Sequence, residues 1–437
     1  MTRNSRTTVT LLLAIMTVTA NAQTNGSNSS YSRFGLGTLA DQSQGFNRGM
    51  GGVGIALHQG NRVNMLNPAS YASIDSLSFI LDAGMSLSAG HMKSGGSSVN
   101  VNNCSLDYVN AGLRLRKGLG MSFGFVPYST IGYNFYRERN VTNDQTTTLP
   151  IKTTSTYVGD GGLHQTYIGL GWNPIEHLSI GMNASFMWGT ISHSMAQTFY
   201  EGESSSTAYS KLNSVHEANL KTYKLDFGVQ YPIRLTANDW LTVGATVGLG
   251  HKIKSDATLT RYTSVGDSTE VTAKSPFDLP YTYGGGLAWQ HKNTLQVAVD
   301  YKFEGWDECR TPHATSKPGE LIYSGTTGDY KNRSRFAAGV QYTPDPSAKN
   351  YLKRVQYRMG GNYSTPYLRV NGQDGPSEMT LSAGLGLPII NNRSVVNLNF
   401  QWLHRKPSSV SLITENYFMV NIGLTFNENW FMKFKIQ

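Results

Sequence analysis

Neighbouring residues of a β-strand point to opposite faces, so segments of about ten residues that alternate apolar with small or polar side chains describe a sheet wetted by two different solvents. From Ser76 onward this chain repeats that pattern. Leu77, Phe79, Leu81, Ala83, Met85 and Leu87 form one face of the first segment and Ser78, Asp82, Gly84 and Ser86 the other, with Ile80 the one interruption. Leu178, Ile180, Met182, Ala184, Phe186 and Trp188 alternate with Ser179, Gly181, Asn183, Ser185 and Met187, ending on an aromatic suited to a membrane interface. Residues 241–249, 295–304, 396–402 and 418–426 read the same way. Together the segments predict roughly fourteen strands, near residues 76–88, 105–115, 119–128, 163–172, 178–188, 221–231, 240–253, 279–289, 294–305, 333–342, 353–365, 378–387, 395–404 and 415–426.

A soluble antiparallel sandwich also alternates, and the connections separate the two cases. Every second connection is short (116–118, 173–177, 290–293, 343–352, 388–394), whereas 129–162, 190–220 and 306–332 are long and polar. Short turns on one side and long loops on the other describe an outer-membrane barrel with the long loops outside the cell. Charged residues make up 15% of the chain, against about 25% in soluble proteins. Beyond the leader no stretch approaches the roughly 20 apolar residues of a membrane helix, and the 46 glycines argue against a helical bundle. Hydrocarbon leaves no partner for an unpaired N–H or C=O, so the sheet must close, with an even strand count and both ends periplasmic. The expected fold is all-β: a closed antiparallel transmembrane β-barrel of about 14 strands over residues 76–426, with 427–437 a tail or partial strand.

Arg3 and Arg6 precede an apolar run over residues 9–18, and Ala20-Asn21-Ala22 supplies a signal-peptidase pattern, so residues 1–22 read as a secretory leader. Removing it leaves 437 − 22 = 415 residues and lowers the formal charge from +9 to +7. Lys and Arg form no run or stripe with interleaved aromatics, so nucleic acid is not expected as a partner. Cys104 and Cys309 are too few for a disulfide scaffold, and the sequence does not say whether they pair.

Residues 23–75 lack the alternation and are Gly-rich: Tyr31-Ser32-Arg33-Phe34-Gly35-Leu36-Gly37, Gly49-Met50-Gly51-Gly52-Val53-Gly54-Ile55-Ala56, then Asn67-Pro68-Ala69-Ser70. Too many are apolar for a solvated tail, and small residues allow close approach of backbones, so this segment is expected inside the lumen as a plug. A Gly-rich stretch, an Asn-Pro-Ala motif and then a first amphipathic strand resemble the FadL family of outer-membrane transporters for hydrophobic molecules. The strand estimate fits that family, as do Leu279-Pro280 before the Gly-rich residues 283–289, and the run Asp300-Tyr301-Lys302-Phe303-Glu304-Gly305-Trp306. The charged residues after Phe426 depart from it, since that family usually ends close to the last strand's aromatic. The resemblance implies an N-terminal hatch, with Asn67, Pro68 and Ala69 as its motif, and passage of long-chain fatty acids or other apolar compounds through a side opening in the wall.

No catalytic constellation, cofactor site or metal site emerges. Gly49-Met50-Gly51-Gly52-Val53-Gly54 satisfies a dinucleotide fingerprint without the strand and helix that give it meaning, and Gly120-Met121-Ser122-Phe123-Gly124 lies inside an alternating strand where no nucleophile elbow can form. The ten His are scattered. Charges on the expected inward faces are Asp82, Arg114, Lys224, Asp226, Asp300, Lys302, Glu304, Arg335 and Arg358. A wet lumen tolerates such charges, and pairs such as Lys224 with Asp226 can simply neutralise each other. Arg335 and Arg358, on neighbouring strands, are candidate contacts for a ligand carboxylate, since a guanidinium fork matches it and keeps its charge, with Asp300 able to occupy either.

The expected function is passive outer-membrane transport of hydrophobic or amphipathic small molecules through an apolar internal path gated by the hatch, not enzymatic. The alternative is a docking or secretion-associated barrel of the same fold that binds a protein partner. An open porin fits poorly with a plug. Surrounding lipid, lipopolysaccharide and, during biogenesis, the barrel-assembly machinery are the other expected partners.

Overall fold

The computed structural model describes residues 28–141, 151–201, 208–264, 266–317, 320–389, 393–409 and 412–429. The expected leader lies outside the described residues, as does the C-terminal stretch from residue 430. Fourteen antiparallel strands form the wall: β1 (Ser78–Ser94), β2 (Ser97–Arg116), β3 (Leu119–Val141), β4 (Ile151–Ile175), β5 (Leu178–Glu201), β6 (Ala208–Arg234), β7 (Asp239–Gly248), β8 (Tyr281–His291), β9 (Leu295–Gly305), β10 (Arg333–Tyr342), β11 (Gln356–Ser364), β12 (Ser377–Ile389), β13 (Ser394–Lys406) and β14 (Thr414–Asn429). Each pairs with its sequence neighbour, and β1 meets β14 from Ser78↔Asn429 to Lys93↔Thr414, so the sheet closes on itself. Every one of the fourteen expected segments overlaps one strand.

The two faces divide as the alternation demands. Phe123, Ile168, Phe186, Val243, Leu287, Val299, Phe336, Leu381, Phe400 and Phe418 are exposed on the outside, where lipid replaces water as solvent, while Ser122, Asn183, Gln230, Ser382, Asn397, Asn399 and Asn421 are buried within. Ile80, the residue that broke the first pattern, is fully buried against Val63, Tyr71 and Ile74 of the N-terminal segment. It is an apolar contact to the plug, inserted into an otherwise wet face.

The expected long loops 129–162 and 190–220 are largely strand. β3, β4, β5 and β6 run for 23, 25, 24 and 27 residues, where about ten suffice to cross a bilayer. Their outer halves are rich in Ser and Thr and meet water on the outside, so no lipid-facing apolar side chain marks them, yet the ladders continue through the described residues, with register shifts at Pro127/Ser129 and Phe199/Tyr200. The register of β6 extends to a further hairpin, residues 257–263 and 268–273, through Ala218↔Ala257 to Leu212↔Thr263. This extramembrane wall curls over the barrel mouth around an apolar core that includes Ile131, Leu163, Leu220, Phe277, Trp306 and Tyr330, into which the N-terminal segment inserts Leu36.

His193 and His216 lie opposite each other across the outer halves of β5 and β6. His193 Nδ1 is 2.8 Å from the Tyr133 hydroxyl and His216 Nδ1 is 3.3 Å from that of Tyr323. Burial first, and then neighbouring positive charge, push both imidazoles down to about 4: Arg33 acts on both, His216 on His193, and Arg261 and His313 on His216. Both are therefore neutral in the folded cap, whereas the unfolded chain takes up protons near pH 6.5. Cap stability is full above that pH and is expected to fall as pH drops from about 6.5 towards 4. Protection factors of the outer β5–β6 amides, measured against the intrinsic exchange rate at each pH, should fall over this window in the parent and change less in a His193→Gln, His216→Gln variant.

Candidate functional site

The N-terminal segment occupies the lumen and is tied to nearly every side of the wall. Its elements are short because its hydrogen bonds go to the barrel. The Gly45–Arg48 turn donates Gly45 N–H to the Tyr108 hydroxyl at 2.7 Å and receives Asn399 Nδ2 on Gly45 O at 2.9 Å. The Gly51 carbonyl accepts from Arg335 at 3.2 Å and Asn362 at 2.9 Å. One oxygen of Asp300 accepts from the N–H groups of Gly54 and Ile55 at 2.6 and 2.9 Å. Gln230 donates to the carbonyls of Ile55 and Leu57. Arg335 and Asp300 thus grip the same glycine-rich turn from neighbouring strands.

Asn67 is fully buried and starts the helical turn Pro68–Ser73. Its Oδ1 accepts from Ala69 N–H at 3.1 Å, and its Nδ2 donates to Ile55 O at 2.7 Å and, in the wall, to Val229 O at 3.1 Å and Ala245 O at 3.4 Å. Pro68 and Ala69 press so closely on β5 that a Cβ on Gly181 would sit 2.3 Å from the Pro68 carbonyl carbon. The Asn-Pro-Ala triad is thus a point of contact between hatch and wall.

Arg335 and Arg358 are not brought together. Arg335 lies opposite Ser364 at the outer end of the β10–β11 ladder and Arg358 opposite Gln341 near its periplasmic end. Arg358 is buried beneath the hatch, donating to Gln341 Oε1 at 2.8 Å, Asn397 Oδ1 at 2.7 Å and Gln356 Oε1. Arg114 is half-buried near the β2–β3 turn, bonded to the Arg116 carbonyl at 3.2 Å. Asp82 is buried, accepting from the hydroxyls of Tyr108 and Thr425 at 3.2 and 3.1 Å. Lys224 pairs with Asp226, and Lys302 with Glu304 at 2.9 Å.

Lys302 and Glu304 begin a longer chain of charges that the sequence reading missed. Glu304 lies 3.6 Å from Arg333, Arg333 2.9 Å from Glu378, Glu378 2.8 Å from Arg405, and Arg405 3.0 Å from Glu415. Glu415 in turn accepts from Ser29 at 2.7 Å, which ties this belt to the start of the hatch. Residue parity was the available signal: Arg333 shares a face with Arg335, and Arg405 and Glu415 extend the wet faces of β13 and β14. Cys104 and Cys309 are free thiols, and no metal-binding group of three His, Cys, Asp or Glu occurs among the described residues.

The wall has an unzipped seam. β2 and β3 are paired only from Arg116↔Leu119 to Val109↔Phe125. Beyond that point β2 continues along β1 alone, and β3 continues along β4 on one edge while its other edge takes a two-residue strand of the hatch, Thr38↔Thr130 and Leu39↔Ser129. A cavity of about 330 Å³ lies above the hatch and reaches both lips of the seam, Leu106 and Asp107 on one side and Pro127 and Tyr128 on the other. Its lining mixes apolar Leu39, Ile55 and Leu66 with the paired charges of Lys224, Asp226 and Lys302. The cavity lining is amphipathic, where the sequence suggested an apolar path.

Replacing Asn67 by Ala removes the donor that three backbone carbonyls share, each such loss costing about 1–3 kcal/mol where the group stays buried. Gly181→Val forces the Pro68–Ser73 turn away from β5 by overlap. Both variants should keep the heat-modifiable migration of a folded barrel in electrophoresis while limited proteolysis cleaves the hatch faster than in the parent.

Comparison with solved structures places this architecture. The Pseudomonas putida toluene transporter TodX superimposes with a TM-score of 0.59 at 14% identity, covering 91% of this chain and 100% of that one. A Pseudomonas aeruginosa FadL homologue gives 0.59 at 11%, covering 88% and 98%, and the Ralstonia pickettii toluene transporter TbuX gives 0.57 at 14%, covering 91% and 98%. At these identities the likeness is one of fold, and at that level the resemblance to the FadL family holds. No curated protein matches the chain significantly. With this fold and its lipid-facing apolar band, the chain is a bacterial outer-membrane barrel. Its residues 1–437 match one family model over their whole length, and the chain belongs to the BamG family.

Proposed function

We propose that the barrel is a passive conduit for small hydrophobic or amphipathic molecules, which leave the lumen sideways between β2 and β3. The observation that carries this reading is the seam, because a sealed wall would offer no such exit and this one opens beside a cavity. The volume of about 330 Å³ falls at the lower end of ligand pockets, roughly 300–1,000 Å³. Sideways release lets an apolar ligand pass from protein to lipid without crossing water, so the hydrophobic driving force favours it. The fold shared with a monoaromatic hydrocarbon channel and two toluene transporters supports the same class of cargo. A ligand with a carboxylate head would meet Arg335 above the hatch. There it competes with the hold of Arg335 on Gly51 and of Asp300 on Gly54 and Ile55, and so loosens the hatch at its glycine-rich turn.

In proteoliposomes the protein should speed uptake of toluene-sized and fatty-acid probes. Narrowing the seam with Leu39→Trp and Leu106→Trp should lower the rate about tenfold for both, whereas Leu381→Trp, on the lipid face of a sealed seam, should leave it unchanged. Arg335→Leu should slow acids more than neutral compounds. Equal rates in empty and protein-containing vesicles would reject the conduit.

One feature favours the docking reading. The hatch is bonded to the wall on nearly every side and a buried apolar cap core lies above it, so the lumen is obstructed at two levels. A docking barrel should purify from native membranes with a protein partner in fixed proportion and show no uptake activity. A barrel that purifies alone and speeds uptake would not be one.

A further inference from the structure

Beneath the hatch lies a second cavity, about 510 Å³, which shares no lining residue with the first and faces the periplasmic turns. Arg62 of the hatch and Gln341 and Gln356 of the wall line it. Arg62 directs Nη1 to Gln341 Oε1 at 3.4 Å and Nη2 to Gln356 Oε1. Arg358 directs Nε to that same Gln341 oxygen and Nη2 to that same Gln356 oxygen. Two guanidinium groups, 5% and 4% exposed, therefore share two neutral amide oxygens.

The other deeply buried arginines show what is missing. Arg48 is paired with Asp107 at 2.5 Å, and Arg405 with Glu378 and Glu415. Among the described residues, no carboxylate lies within ion-pair distance of Arg62 or Arg358. Asp82 acts on both at longer range, one negative charge against two positive, and its Oδ1 is already taken by Tyr108 and Thr425. Asp75, exposed, is the one carboxylate in the lining, and Arg354 adds a further cation. Guanidinium groups do not shed their charge, and buried charge without a counter-ion is strongly unfavourable. Two like charges drawn onto common acceptors leave a positive site, which Arg62 brings to the wall of the cavity.

We propose that this vestibule is an oxyanion site, in which Arg62, backed by the charge of Arg358, binds a phosphate or carboxylate group arriving from the periplasm. The anion supplies the missing counter-charge through charge-assisted hydrogen bonds, for which the planar fork of Arg62 is well shaped. Because Arg62 belongs to the hatch and Arg358 to β11, a bound anion fastens the underside of the hatch to the wall. The site lies on the opposite side of the hatch from the seam and stands whether or not the barrel is a conduit.

The test uses the full chain, purified in detergent, with thermal unfolding followed at constant ionic strength. Inorganic phosphate or, in a second arm, acetate should raise Tm in a saturable way, and the arm that responds tells phosphate from carboxylate chemistry. Arg62→Gln should weaken the response at least tenfold. Gln356→Glu places a fixed carboxylate between the two guanidinium groups, so it should raise Tm without any anion and abolish the response. The proposal is overturned if neither anion acts beyond sodium chloride of the same ionic strength, if Arg62→Gln titrates like the parent, or if Gln356→Glu is less stable and still responds.

Discussion

The pairing of backbone N–H with C=O in a medium that offers no other partner governs this molecule. Closure of β1 on β14 meets that demand for the barrel as a whole. The demand fails locally at the seam, where β2 and β3 part company beyond Val109 and Phe125, and there the hatch lends Thr38 and Leu39 to the exposed edge of β3. The hatch is therefore a partial strand of the wall as well as a stopper. Any movement that frees the lumen near Leu39 also strips hydrogen bonds from a strand edge, so opening has a built-in cost and a tendency to reverse.

A barrel of this size turns the usual arrangement of a protein inside out. Apolar side chains face lipid, so the inside is left largely to amides, hydroxyls and glycine, and the plug is held there mainly by hydrogen bonds and close backbone approach, with small apolar clusters around Ile80 and Met50. The hatch sequence answers both needs. Asn67 caps its own turn and bonds two wall strands with one side chain, and the glycines of the barrel leave room for it: a Cβ on Gly120 would lie 1.9 Å from the Tyr71 carbonyl oxygen. The largest apolar cluster forms where water returns, in the cap around Trp306. That residue also donates its indole N–H to Glu304 at 2.9 Å and so joins the cap to the charged belt.

Local pattern made the membrane-spanning parts legible. Period-two alternation located all fourteen strands, since each residue there faces either lipid or lumen and selection of its polarity is immediate. It could not reveal the outer halves of β3 to β6, because a ladder standing in water outside the membrane has no lipid face to mark it. Nor could it reveal the seam, which is a matter of which strands pair and leaves both sequences looking like ordinary strands. Asp300, Arg335 and Arg358 lie on inward faces, but register separates the two arginines, and register depends on turn lengths and bulges that a single sequence leaves open. Arg333, Glu378, Arg405 and Glu415 were missed because each lies at or just past the end of an expected strand, where the boundary is blurred and parity is hard to extend.

The hatch also divides two electrostatic environments. Above it, Lys224 with Asp226, Lys302 with Glu304 and the belt from Arg333 to Glu415 cancel one another within contact distance, so a ligand there meets polarity with little net field. Below it, Arg62 and Arg358 leave positive charge uncancelled. A neutral or weakly charged molecule placed in the upper cavity would meet shape and apolar contact there with little electrostatic penalty. Arg62 is the buried cation of the hatch that faces the lower field. Displacing the hatch separates that charge from Gln341 and Gln356, which makes the position of the plug sensitive to what occupies the periplasmic side, even though the upper cavity and its seam lie beyond direct contact.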